Sequence, residues 1–234
     1  MVMAIVLAAG RSTRMGGSEN KQFLQLLGKP LLYYSLAAFE KASSVSGIVV
    51  VRRPDYAKPA EEIVATHGFK KVVAFADGGE ERQNSVWNGL NACPAGTRVV
   101  AVHDGARPLV TPELIEATIQ CARVHGTGIA STKVVDTVKE ADEQKRVLRT
   151  VDRTSLWSVQ TPQTAQFELL RDGYAKVFAL QMVVTDEAAA VKTLGHEVHL
   201  VEWPYLNFKI THPPDLIVAE ALLRERQPRV GVSS

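Results

Sequence analysis

Short runs of apolar, mostly β-branched residues recur along the first half of the chain, at 3–9 (MAIVLAA), 46–51 (SGIVVV), 71–76 (KVVAFA) and 97–103 (TRVVAVH). None alternates with polar residues, as expected of strands covered on both faces of a parallel sheet. Helix-length amphipathic segments separate them at 30–43, 55–67 and 81–93, with Pro30 suited to a first turn. Thr111 and Pro112 then read as the N-cap and first position of a helix over 112–125. Such alternation predicts an α/β fold with an open, doubly wound, mostly parallel sheet.

The regularity ends at residue 127. Residues 127–151 read as a strand, a polar turn at 140–145 and a returning strand, poor in large apolar residues. A solvated surface hairpin and an arm packed on another subunit both fit this pattern. Helical periodicity resumes at 165–180 and 186–194, where Thr185 ahead of Asp186 and Glu187 has the form of an N-cap. A strand at 197–201, an extended piece at 206–211 carrying Lys209, and a helix at 214–226 follow, and 227–234 reads as a frayed tail. With no repeat or low-complexity linker, the chain reads as one domain, 1–234, bearing an arm.

Composition narrows the function. The 234 residues are 46% hydrophobic and 22% charged, enough for a sizeable core. A net charge of +2 gives no bulk attraction for nucleic acid, so any phosphate chemistry must come from local clustering. Cys93 and Cys121 lack metal-ligand spacing, and the histidines form no HExxH pattern, so a zinc site is not expected. The apolar run at 3–9 is too short for a membrane span and arginines follow it at once, which points to a cytoplasmic protein.

In open α/β sheets, ligands gather at the carboxyl ends of the strands. The first such loop, LAAGRSTRMGGSENKQ at 7–22, begins with small residues that let backbone N–H groups approach a ligand. Arg14 and Lys21 then offer a planar fork and a point cation to phosphate oxygens. Neither GxxxxGK[ST] nor GxGxxG is present, which weakens P-loop and dinucleotide readings. The third strand is followed by DGGEERQNSV (77–86), in which Gly78 and Gly79 permit a tight turn ahead of a helix. The fourth ends in HDGARP (103–108), where Asp104 could hold Mg²⁺ together with substrate phosphates.

Taken together, LAAGxxxRM with Lys21, GGxERxxSV, HDGARP, DTVK, LWSVQTPQ, TDEA and NFKITHPPDL resemble the 2-C-methyl-D-erythritol 4-phosphate cytidylyltransferase family of nucleotidyltransferases. The likeness runs in order from residue 4 to about 220; Leu7, Ser12 and Leu206 stand where that family more commonly has Pro, Gly and an acidic residue. The resemblance implies a CTP-binding loop of Ala8, Ala9, Gly10, Arg14 and Lys21, with Gly79, Glu80 and Ser85 bordering the cytosine. It implies Asp104 as the Mg²⁺ ligand, and Arg153, Thr161, Thr185 and Lys209 lining the polyol phosphate site. It further implies catalytic roles for Arg14, Lys21, Arg153 and Lys209, and a homodimer whose β-arm at about 134–152 crosses the interface. Arg107 and Thr137 would then serve the partner's substrate site. Ribitol 5-phosphate is the competing acceptor, and a non-catalytic nucleotide sensor is the competing class.

Overall fold

The structure, a computed structural model, describes residues 1–10 and 20–226. Strand β1 (Val2–Ala8) is buried along its whole length, as its unbroken apolar sequence requires. A small ribbon of β2 (Gln25–Leu26) and β3 (Lys29–Pro30) leads into α1 (Leu31–Lys41). Next come β4 (Gly47–Arg52), α2 (Ala57–His67), β5 (Val72–Asp77), α3 (Arg82–Asn91), β6 (Val99–Asp104) and α4 (Pro112–His125). The second half contains β7 (Thr127–Lys133), β8 (Val138–Ala141), β9 (Val147–Val151), β10 (Trp157–Gln166), α5 (Phe167–Ala179), α6 (Glu187–Lys192), β11 (Leu200–Glu202) and α7 (Pro213–Arg226).

Seven strands form one sheet in the order β11-β7-β10-β6-β1-β4-β5, and β10 alone runs antiparallel to its neighbours. This is the expected mostly parallel α/β sheet. Alternate residues of β1 feed opposite faces. Val2, Ala4 and Val6 pack with Leu36 and Phe39 of α1 and with Ile115 and Ile119 of α4. Met3, Ile5 and Leu7 pack with Val86 and Leu90 of α3 and with Leu170 and Tyr174 of α5. Each such aliphatic side chain contributes about 1.5–3 kcal/mol when fully buried. Helix α3 lies especially close to the sheet, because a Cβ at Gly89 would sit 2.6 Å from Ile5 Cγ2. The first turn of α3 lies at the carboxyl end of the sheet because the helix directly follows β5.

Several local expectations are corrected. The segment 127–151 is divided: β7 joins the main sheet, and only β8 and β9 pair as a separate hairpin. Strand β10 was not expected, because its WSVQTPQTAQ sequence is polar and contains Pro162. The proline falls where the β10–β7 register shifts, between Val159 and Gln163, and buried hydroxyls pair there, Thr164 with Thr118 at 2.9 Å. Asp186, not Thr185, caps α6, its side chain accepting from the Ala189 N–H. Residues 206–211 form no strand; Ile210 is instead tied by its N–H to the Ala106 carbonyl at 2.8 Å. Arg11, Ser12, Arg14 and the tail at 227–234 lie outside the described residues.

Candidate active site

β1, β4, β5 and β6 all end on the same edge of the sheet, and a cleft of about 580 Å³ opens there. Ala9, Gly10 and Lys21 line one part of it, Gly79, Glu80 and Ser85 another, and Asp104 and Lys209 a third. Ala8 is fully buried in β1 and its carbonyl accepts from Asn20 Nδ2 at 3.4 Å. The glycine loop presses directly on the first loop, since a Cβ at Gly78 would lie 2.3 Å from that of Ala9. The Ser85 hydroxyl accepts from the Gly79 N–H at 3.1 Å and donates to the Glu81 carbonyl at 3.2 Å, bracing the turn. Glu81 caps α3 reciprocally with Asn84.

Lys21 is only 7% exposed, and its ammonium donates to the Ile210 carbonyl at 2.8 Å. On β6, Asp104 accepts from Lys209 Nζ at 2.9 Å and from Arg82 Nε at 3.3 Å, with Arg107 Nε 3.9 Å away. Burial disfavours the charged carboxylate, but attraction to Arg82, Lys209 and Arg107 prevails and holds Asp104 well below the ordinary carboxylate range. Arg82 in turn forks onto Glu187, at 2.7 and 3.1 Å, and the Tyr174 hydroxyl donates to the same carboxylate at 3.0 Å. Burial works against the Arg82 cation, yet Glu187 and Asp104 hold its pKa well above the ordinary value.

The sequence reading gave no role to Arg82, Glu187 or Tyr174. One signal was available. A cation in the first turn of a helix opposes the macrodipole, so Arg82 needs carboxylate partners from elsewhere in the fold.

Thr161, expected along the acceptor site, is 3% exposed and sits behind Asp104. Its oxygen accepts from the Asp104 N–H at 3.1 Å, which leaves its hydrogen for His103 Nδ1 at 3.0 Å. Burial pushes the His103 imidazole down to about 3. The unfolded chain therefore binds a proton below pH 6.5 that the folded chain refuses until about pH 3. Stability should fall across that window by roughly 1 kcal/mol per pH unit. Asp104, whose pKa is depressed, loses its stabilising contribution only as the pH drops below the ordinary value of 3.8. Urea midpoints at pH 7 and pH 5 should therefore diverge less in His103→Gln than in the wild type; parallel responses would contradict the burial argument.

Of the remaining expected residues, Arg107 sits at the edge of this cluster beside Asp104, and the others lie apart from it. Arg107 is committed within its own chain, donating from Nη1 to the Asn207 carbonyl at 2.7 Å. Arg153 is exposed and bonds the Val135 carbonyl at the base of the hairpin, with Thr137 exposed nearby in the chain. Thr185 is exposed just ahead of α6. Asn207 is buried and was not singled out; its Nδ2 donates to the Thr161 carbonyl at 2.8 Å and to Gln160 Oε1 at 3.1 Å.

Among the described residues, no group of three or more His, Cys, Asp and Glu could form an all-protein metal cage. Mg²⁺ does not need one, because one carboxylate plus substrate phosphates is its usual setting in nucleotide sites. An ionised Asp104 on the cleft wall fits that role. No helix among the described residues is long and apolar enough to cross a membrane.

The family model for 2-C-methyl-D-erythritol 4-phosphate cytidylyltransferase matches residues 2–225. The chain is 42% identical over 225 residues to the enzyme of that name from Caldanaerobacter subterraneus subsp. tengcongensis, covering 96% of this chain and 99% of the relative. It is 43% identical over 236 residues to that of Pelotomaculum thermopropionicum, covering 98% and 97%. The crystal structure of 4-diphosphocytidyl-2C-methyl-D-erythritol synthase from Anaerococcus prevotii is similar with a TM-score of 0.83 at 29% identity, covering 95% of this chain and 98% of that one. For the Thermus thermophilus 2-C-methyl-D-erythritol 4-phosphate cytidylyltransferase the TM-score is 0.78 at 33% identity, covering 94% and 98%.

Proposed function

We propose a division of roles in the cleft from the premise that this chain belongs to the 2-C-methyl-D-erythritol 4-phosphate cytidylyltransferase family. The chain is a nucleotidyltransferase that transfers the cytidylyl group of CTP to 2-C-methyl-D-erythritol 4-phosphate in isoprenoid precursor synthesis. A phosphate oxygen of the acceptor attacks the α-phosphorus of CTP, the bond from that phosphorus to the bridging oxygen breaks, and pyrophosphate leaves. The attacking phosphate is already ionised, so the protein needs no nucleophile or base of its own. Its task is to bring two anions together and to stabilise the charge that moves onto the leaving group.

The observation that carries this assignment is the Asp104–Lys209–Arg82 cluster on the wall of the cleft that Lys21 and the glycine loop also line. Lys21 is aimed by the Ile210 carbonyl and Lys209 by Asp104, so both cations are positioned before substrate arrives. Arg14 adds a cation from the first loop on the grounds of its place in the sequence motif. The Gly79–Ser85 turn borders the base. Asp104 would hold Mg²⁺, which when bound neutralises charge across the triphosphate.

The enzyme is further assigned to the cytoplasm and to a homodimer formed through the arm at 134–152. The dimer is supported by Val135, Val147 and Leu148, which are exposed apolar residues on and beside the hairpin. The cytoplasmic reading is supported by Cys93 and Cys121, both free thiols. Thr137 would then serve a partner's acceptor site as expected, joined there by Arg153, which bonds Val135, while Arg107, also expected there, is tied to Asp104 and Asn207 of its own chain.

The deciding experiment is pyrophosphate release by purified protein with CTP and Mg²⁺, comparing two acceptors. Release is expected with methylerythritol phosphate and little with ribitol 5-phosphate. The reverse preference would reassign the acceptor, and no release with either would leave only nucleotide binding.

A further inference from the structure

The first two residues of α3, Arg82 and Gln83, both bond to the stretch that runs from the end of α5 into α6. Gln83 is almost fully buried. Its Nε2 donates to Glu81 Oε2 at 2.9 Å and to the Met182 carbonyl at 3.3 Å, while its Oε1 accepts from the Val184 N–H at 2.9 Å. One side chain is thus bonded both to the N-cap of the turn that lines the cleft and to the backbone of 182–184. Arg82, itself lining the cleft, makes a second tie through Glu187. Thr185 lies in the chain between the two ties.

The segment they hold is also fixed at its two ends, where the Leu180 and Met182 N–H groups bond the Lys176 and Val177 carbonyls and Gln163 bonds Asp186 and the Ala188 N–H. Leu180, Met182 and Val183 are exposed by 58%, 41% and 71%, and Val184 alone of this run enters the core. Between those ends the stretch has few buried apolar contacts and opens at small cost in free energy, so the Val184 N–H bond to Gln83 carries much of the order of 183–185. A ligand shifts such an equilibrium only where it interacts differently with the two states. The first turn of α3 supplies that difference, because tightening of the glycine turn around a base is transmitted by Gln83 to 182–184.

We infer that Gln83 is a positioning residue that couples nucleotide occupancy of the Gly78–Glu81 turn to ordering of residues 180–187. This rests on the reading of the turn as the base-binding side of the CTP site. It makes the segment carrying Thr185 firm only after the nucleotide has bound, which favours acceptor capture by the loaded enzyme.

Hydrogen–deuterium exchange on the full-length protein with CTP and Mg²⁺, and no acceptor, tests the inference. Peptides over 77–86 and over 180–187 should both exchange more slowly in the wild type, the second by about fivefold or more. In Gln83→Met, which keeps the side-chain volume, 77–86 should remain protected while 180–187 exchanges as in the ligand-free protein. A merely structural role would change exchange equally with and without CTP. Protection of 77–86 without any at 180–187 in the wild type would overturn the coupling, even if the variant does not fold. So would protection of both peptides in Gln83→Met. Absence of protection at 77–86 in the wild type would instead remove the base-binding reading, and the inference with it.

Discussion

Replacing Lys21 by methionine should lower turnover by about 100- to 1,000-fold, the usual loss when one preorganised charge donor is removed from a site of developing negative charge. The side chain is 7% exposed, and its ammonium is held 2.8 Å from the Ile210 carbonyl at the wall of the cleft. A cation placed this way costs little reorganisation during the reaction. Methionine keeps most of the volume, and the unpaired Ile210 carbonyl contributes a structural cost of about 1–3 kcal/mol. That is too little to explain so large a kinetic loss through unfolding. Lys21→Arg should recover only part of the rate, since a planar fork cannot occupy the space of a compact ammonium without displacing its neighbours. Steady-state pyrophosphate release beside urea unfolding separates the two effects. Lys21→Met turnover within about threefold of the wild type, well short of the tenfold that 1.36 kcal/mol of barrier represents, would take Lys21 out of the mechanism.

How much of this site could be read from sequence depended on how local each signal was. β1, β4 and β6 are continuous apolar runs buried along almost their whole length, the half-exposed edge strand β5 carries the same kind of run, and all four were legible. Helix α4 was legible to its first residue, since Thr111 accepts from the Leu114 N–H and Pro112 follows it. The cleft itself followed from the rule that strand ends and helix starts meet on one edge, which placed Asp104 and the glycine turn together. β10 was hidden because three of its five buried residues are Thr161, Gln163 and Thr164, whose side chains are satisfied by hydrogen bonds to neighbouring elements rather than placed by apolar patterning. The arm at 134–152 encloses the β8–β9 hairpin, but the pattern alone ran the hairpin back to residue 127. β7 and β8 both read as strands, and nothing in their residues says that one pairs within the main sheet and the other outside it.

The Arg82–Glu187 pair was least accessible, since the partners are 105 residues apart and each sits in an ordinary helix-start sequence. Only the fold brings them together. Once it does, the charges form a chain from Glu187 through Arg82 to Asp104 and Lys209, in which every cation touches a carboxylate. A cleft so arranged holds its cations at fixed places without an incoming anion, and still presents Lys209 and Arg82 to one.

That chain makes Glu187→Ala the most damaging substitution expected for stability, at about 3 kcal/mol, the low end of the cost of breaking a buried pair because the Arg82 side chain keeps 26% of its surface in the open cleft. Glu187 is 1% exposed, and both of its oxygens are occupied by Arg82, with Tyr174 sharing one of them. Alanine leaves the Arg82 guanidinium with Asp104 alone, in a first helical turn whose dipole already disfavours it, and strands the buried Tyr174 hydroxyl. Most of the loss therefore belongs to Arg82 rather than to Glu187 itself, and this can be measured. Arg82→Met in the Glu187→Ala background should recover at least about 1 kcal/mol, because the unpaired charge is gone. Tyr174→Phe should cost about 1.5–3 kcal/mol, the worth of one hydrogen bond to a carboxylate that keeps its other partner. Urea unfolding of the two single variants, the double variant and Tyr174→Phe gives these differences directly. A Glu187→Ala protein within about 1 kcal/mol of the wild type would show instead that Asp104 holds Arg82 by itself, since exposed pairs are worth that little and buried ones are not.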